Sequence, residues 1–307
     1  MIHGVLLLDK PAGLTSNAAL QRVRRLFGRI KAGHTGTLDP LATGLLPICL
    51  GEATKFSYSM LDADKSYEAV IRLGFVSSTG DAEGAIREAG VPDFGVDKLR
   101  EVVRVFTGPI LQRPPMHSAL KKDGRPLYAY ARAGIEVERS VRNVLIKSLE
   151  IIDLKKNMLS ITVACSKGTY IRVLAQDIGE ALGCGGYLSA LRRTRIADLD
   201  VASAIGLEEL EKSGPVVGAT RVLPVDLLVS AYPALRLDSA QVKRVSTGLE
   251  VRPAVEVVQR GPVRLYGPTG VFLGLGEGRS GGIVAPKRML ANPAAVQEKP
   301  ADARLTL

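Results

Sequence analysis

The chain has 307 residues, 46% hydrophobic and 23% charged, which excludes wholesale disorder, collagen-like and coiled-coil architectures and gives room for two domains. Lys and Arg number 41 against 31 Asp and Glu, a net charge of +10, so the expected partner is a polyanion, nucleic acid ahead of an anionic membrane surface. No apolar run is long enough to span a bilayer, Cys49, Cys165 and Cys184 stand far apart, and His3, His34 and His117 lack ligand spacing, so the expectation is a cytoplasmic protein with no disulfide framework and no metal.

In chain order, Gly4 to Leu8 reads as a short buried strand. Thr15 or Ser16 then caps a helix with Ala19, Val23, Leu26 and Phe27 on one face and Arg22, Arg25 and Arg29 opposite. From Arg29 to Leu45 the helical period vanishes, and Gly33, Gly36, Pro40 and Gly44 predict a loop. Strands are expected at Tyr67 to Leu73, Val144 to Leu154 and Met158 to Cys165, the last two joined by a turn at Lys155, Lys156 and Asn157. Helices are expected at Val96 to Phe106, Leu127 to Ala133 and Tyr170 to Leu182. Composition changes near Pro224: eight of the 22 residues from Gly261 to Gly282 are glycine, and Leu228 to Leu290 carries nine basic against four acidic residues. A small basic β-rich domain is predicted there, followed by a frayed tail after Ala291. The match of Gly276-Glu-Gly-Arg-Ser-Gly281 to a dinucleotide fingerprint is a decoy, because no helix follows it.

Four stretches carry reactive residue types. Gly33-His-Thr-Gly-Thr-Leu-Asp-Pro-Leu-Ala-Thr-Gly44 sets Asp39 in a glycine-braced turn, although Asp-Pro is also an ordinary turn former. Cys165-Ser-Lys-Gly-Thr-Tyr-Ile-Arg172 puts Arg172 in the first turn of a helix, where the positive end of the dipole disfavours a cation. Either a buried carboxylate compensates it, Asp39 being a candidate, or it lies along the surface. Lys65-Ser-Tyr67-Glu offers a ring on which a base can stack, or simple cross-strand packing. The stretch from Gln112 through Arg125, Tyr128, Tyr130 and Arg132 to Arg142 suits a mobile basic arm on a phosphate backbone or a solvated hairpin. Arg192-Arg-Thr-Arg195 is a further backbone-contact candidate.

Taken together, Gly4-Val-Leu-Leu-Leu-Asp-Lys-Pro11, Ala32 to Gly44, Gly51-Glu-Ala-Thr-Lys55, Pro114-Pro-Met and Ser166 to Arg172 resemble the motifs of the bacterial tRNA pseudouridine synthase B (TruB) family, over about residues 2–199. The glycine-rich end is similar to the small RNA-binding PUA domain of many members. The resemblance implies an α+β catalytic domain over 1–226 on a central mixed, largely antiparallel sheet, with an RNA-gripping thumb at about 112–142. A β-barrel-like PUA domain over 227–291 and a disordered tail over 292–307 complete the expected organisation.

The implied activity is isomerisation of uridine 55 in the tRNA T loop by base flipping, without a cofactor or metal, by a monomer with no obligate protein partner. Implied catalytic residues are Asp39 as the essential carboxylate, Tyr67 as the stacking ring and proton acceptor, and Arg172 as the partner of Asp39. Lys10, His34, Thr37, Tyr170, Leu191, Arg132, Arg142, Arg192 and Arg193 are the implied RNA contacts, with His34 filling the gap left by the flipped base. The family usually has tyrosine where this chain has His117. The rival readings are a tRNA-folding chaperone and a synthase acting on a T-loop-like element of another RNA.

Overall fold

The computed structural model describes residues 2–253 and 260–297. Its frame is a ten-stranded mixed sheet. The strands that matter for the site are β1 (Gly4–Lys10), β2 (Ala32–His34), β3 (Thr43–Leu50), β4 (Lys65–Leu73), β5 (Gly108–Gln112), β6 (Arg142–Lys155), β7 (Met158–Cys165) and β8 (Gly186–Ile196). Along the path β1-β3-β8-β4-β7-β6-β5, only the β3–β8 pair is parallel, which is the largely antiparallel α+β arrangement expected.

Local signals explain most elements. Thr15 caps α1 (Ser16–Leu26) by accepting from the Ala18 N–H at 3.0 Å. β6 and β7 form a long hairpin that turns at Lys156, whose φ is +53°. The predicted loop from Arg29 to Leu45 departs from expectation: β2 pairs with β3 through Ala32↔Leu50, Gly33↔Cys49 and His34↔Ile48, and β3 already starts at Thr43. A neighbouring strand supplies partners that local propensity does not announce.

Two apolar layers sit against the sheet. α2 (Val96–Val105) and α4 (Ile171–Ala181) cover β4, β6, β7 and β8 through Leu99, Val103, Leu174 and Ile178. α1 covers β1 and β3 through Ala19, Leu20 and Val23. The chain from 113 to 141 leaves the sheet after β5 and returns at β6, carrying the short helix α3 (Leu127–Arg132). No helix among the described residues is long and apolar enough to cross a membrane.

The C-terminal part is a four-stranded sheet of Ala234–Arg236, Gly261–Tyr266, Phe272–Arg279 and Ile283–Met289. It is open, which corrects the barrel-like expectation for this region: its first pair is parallel and its edges do not meet among the described residues. The decoy glycines lie in the third strand and in the turn at Gly281 and Gly282 that leads into the fourth. Phe272, Leu275 and Leu290 share one core with Val5, Phe56, Met60, Val225 and Leu228, and the Phe56 and Phe272 ring centroids are 5.6 Å apart. A short helix, Pro293–Gln297, occupies the start of the stretch expected to fray; the rest of that expectation lies outside the described residues.

Candidate active site

The loop between β2 and β3 is fastened from below. Ser16 Oγ accepts from the Leu38 N–H at 2.7 Å and donates to the Leu38 carbonyl at 3.1 Å. Lys10 is fully buried at the end of β1, and its ammonium donates to the carbonyls of Leu14 (2.6 Å), Pro11 (2.9 Å) and Pro40 (3.4 Å). Burial brings its pKa down to about 8 against the opposing pull of Asp39 and Glu83. Lys10 therefore braces the Asp39–Pro40 turn from inside rather than meeting a ligand at the surface.

Asp39 and Arg172 are brought together. Arg172 Nε lies 3.0 Å from Asp39 Oδ2, and the arginine side chain is only 5% exposed. Its Nη1 lies 3.3 Å from Asp81 Oδ2 and donates to the Thr79 carbonyl at 3.2 Å, while Nη2 donates to the His117 carbonyl at 2.7 Å. The cation that a helix N-terminus disfavours is thus matched by two carboxylates and two carbonyls.

Asp81 lies outside the motifs that carry reactive residue types in the sequence. It is buried, and its other oxygen accepts from Thr79 Oγ1 at 2.6 Å and the Glu83 N–H at 3.1 Å. A signal was present in Thr79-Gly-Asp-Ala-Glu-Gly84, a glycine-flanked acid like that at Asp39. Asp39 keeps 38% of its side chain exposed, at the cleft. Burial of the rest pushes its pKa above the ordinary value; Arg172 pulls it down, Asp81 pushes it further up, and Lys10 and His117 pull down.

Tyr67, on β4, stands beside Arg193 of β8 in register. Burial raises its pKa, opposed by the neighbouring Arg193 guanidinium. Arg193 itself is 1% exposed, with Nε donating to the Leu45 carbonyl at 2.8 Å and Nη2 to the Gly36 carbonyl at 3.1 Å. That placement is incompatible with its expected role as a surface phosphate contact. The physical reason is strand alternation: in β8, Leu191 and Arg193 face the cleft while Arg192 turns the other way and grips Asp9 at 2.7 and 3.1 Å. The basic run in the sequence is split between two faces.

Asp39, Tyr67, Arg172, Leu191, Arg193, Tyr170 and Thr37 line one cleft of about 230 Å³, with His117 and Ser118 from the root of the 113–141 excursion. His34 sits on β2 with a buried Nδ1 that has no hydrogen-bond partner among the described residues; burial, then Arg193, pushes its pKa down. Arg132 lies on α3 with its guanidinium 5.4 Å from the Tyr128 ring, and Arg142 opens β6 exposed to solvent, so neither joins the cleft itself.

The family model described as TruB family pseudouridylate synthase (N terminal domain) matches residues 24–171. Those described as tRNA pseudouridylate synthase B C-terminal domain and as pseudouridine synthase II TruB, C-terminal, match 172–229 and 233–290. The tRNA pseudouridine synthase B of Aromatoleum aromaticum is 52% identical over 97% of this chain and 96% of its own length. That of an Azoarcus species is 53% identical over 95% of this chain and 96% of its own. Among solved structures, a Cbf5-Nop10-Gar1 complex contains a chain with a TM-score of 0.71 and 27% identity, covering 92% of this chain and 83% of that one. An archaeal box H/ACA sRNP Nop10-Cbf5 complex gives 0.70 and 26%, covering 94% and 86%. The chain belongs to the TruB family of pseudouridylate synthases.

Proposed function

We propose that the chain converts uridine 55 in the T loop of tRNA to pseudouridine. The observation that carries the reading is the Asp39 carboxylate held at 3.0 Å by Arg172 in a cleft that Tyr67 also lines. Relatives about half identical over nearly the whole chain are tRNA pseudouridine synthases by name.

The chemistry asks for few groups. The N1–C1′ bond breaks, uracil turns, and a C5–C1′ bond forms; C5 loses a proton and N1 gains one, with no net oxidation. An ionised carboxylate beside C1′ serves either as nucleophile or as acceptor of the 2′ proton. Burial works against that charge on Asp39, and the guanidinium restores it. Tyr67 stacks on the detached base, and its hydroxyl, against the Arg193 cation, relays the C5 proton directly or through water. A stacked base cannot enter the cleft, so the nucleotide is flipped out for a few kcal/mol, with His34 filling the gap. Lys121, Lys122, Arg125, Arg132 and Arg142 hold phosphates at the mouth, and the basic C-terminal PUA-like sheet extends the footprint. The enzyme works in the cytoplasm as a monomer.

The deciding experiment is Asp39→Asn on a T-stem-loop RNA carrying 5-tritiated uridine, read by tritium release and filter binding. The expected result is wild-type binding with no release. Turnover that survives the substitution removes Asp39 from the mechanism, and a wild-type enzyme that binds without turning over supports the chaperone reading.

A further inference from the structure

The root of the 113–141 excursion is tied to the start of α4. Gln112 is the last residue of β5 and faces Arg142, the first of β6, so these two residues are the feet of the excursion. The Gln112 side chain does not point to solvent; the residue is 2% exposed. Its Oε1 accepts from the Tyr170 N–H at 3.0 Å, and its Nε2 donates to the Tyr170 carbonyl at 3.3 Å. Tyr170 is the residue that opens α4, and no side chain within the helix caps that end.

A buried amide that satisfies both backbone groups of one residue fixes its position and its peptide planes. Two residues on, in the first turn, is Arg172, and the ring of Tyr170 lines the cleft. A second tie runs the same way, since Arg172 Nη2 donates to the carbonyl of His117, five residues past Gln112.

Building on the proposed roles of Asp39 and Arg172, we infer that Gln112 is a positioning residue, which locks the entry of α4 to the root of the RNA-gripping arm and so sets the reach of Arg172 to Asp39. The arm and the catalytic guanidinium share one support. Without the amide, the Tyr170 N–H loses its partner, the first turn of α4 gains freedom, and the Nε–Oδ2 contact loosens. The groups left acting on Asp39 are then Asp81, which raises its pKa, and Lys10 and His117, which lower it.

The test is Gln112→Met, which keeps the length and removes both hydrogen bonds. Tritium release from the T-stem-loop gives kcat, KM and the pH profile; filter binding gives Kd, and wild type and Asp39→Asn run beside it. The expected result is a kcat lower by roughly tenfold, as misplacement of a reacting group by a fraction of an ångström produces. RNA affinity stays within about twofold, and the acid limb of the kcat profile moves to higher pH, because Arg172 offsets the burial of Asp39 less well. A kcat within about twofold of wild type overturns the inference, and so does a lower kcat with the acid limb in place, since a purely structural loss would act that way. Should Gln112→Met fail to fold, Gln112→Asn, which draws the amide back by one methylene, is judged on the same two readouts. An active Asp39→Asn would instead sink the reading of the site on which this rests.

Discussion

Arg193→Lys separates a buried structural cation from a surface phosphate contact. The substitution keeps the positive charge and removes the planar fork that lets one side chain serve the carbonyls of both Leu45 and Gly36. A lysine ammonium at the end of a flexible stem is expected to serve one of these two carbonyls. Hydrogen bonds from a charged donor contribute about 1.5–3 kcal/mol each, so the loss of one lowers stability by about that amount. At 1% exposure, solvent screening gives no relief. Urea unfolding without RNA reads the loss as a lower midpoint at unchanged slope. Tritium release falls as well, because the cation beside Tyr67 is displaced, whereas the salt dependence of RNA binding stays as in wild type. An unchanged urea midpoint would refute the argument, because a charge-conserving exchange at a surface phosphate contact leaves the stability of the free protein alone.

The raised pKa of Asp39 has two consequences of opposite sign. Turnover that needs the ionised carboxylate falls on acidification through a value above the ordinary 3.8, which the pH profile of tritium release measures. For stability, the folded chain holds the Asp39 proton more tightly than the unfolded chain, so this group opposes folding at neutral pH. Asp39→Asn therefore raises the thermal midpoint at neutral pH, and the gain fades as pH falls towards 3.8; a lower midpoint at neutral pH contradicts the sign. Because Phe56 and Phe272 lie in one core, the full chain is expected to melt in a single calorimetric transition, and truncation after Asp226 to lower the catalytic part's thermal midpoint as well as weaken tRNA binding. Two resolved transitions in the intact protein would show that the two sheets are energetically separate.

The parts legible in the sequence were those set by local rules. The Thr15 cap, the apolar face of α1 and the β6–β7 hairpin follow from spacing and turn chemistry. Arg172 signalled its need for a counter-charge by standing at the wrong end of a helix, and the structure supplies two, Asp39 and Asp81. What escaped was set by pairing across the fold. β2 exists because β3 lies beside it, and Arg193 reads like its exposed neighbours until the strand period places it on the inner face. Lys10 and Gln112 look like surface residues by type, and only the carbonyls and amides gathered around them show that they are internal braces. A side chain that satisfies backbone groups far away in sequence leaves no periodic trace.

The aromatic seam between the two sheets also makes the molecule a gauge. Tyr58 stacks under the Arg288 guanidinium at 5.4 Å, Lys55 Nζ donates to the Met289 carbonyl at 3.0 Å, and the Ala291 N–H donates to Glu52 at 2.8 Å. Because these contacts join the two sheets, a long ligand touching both the cleft and the outer sheet would meet them at a spacing set by the protein. For the proposed tRNA substrate, a short stem-loop would then use the cleft alone, while a stem of matching calibre would gain the outer sheet as well.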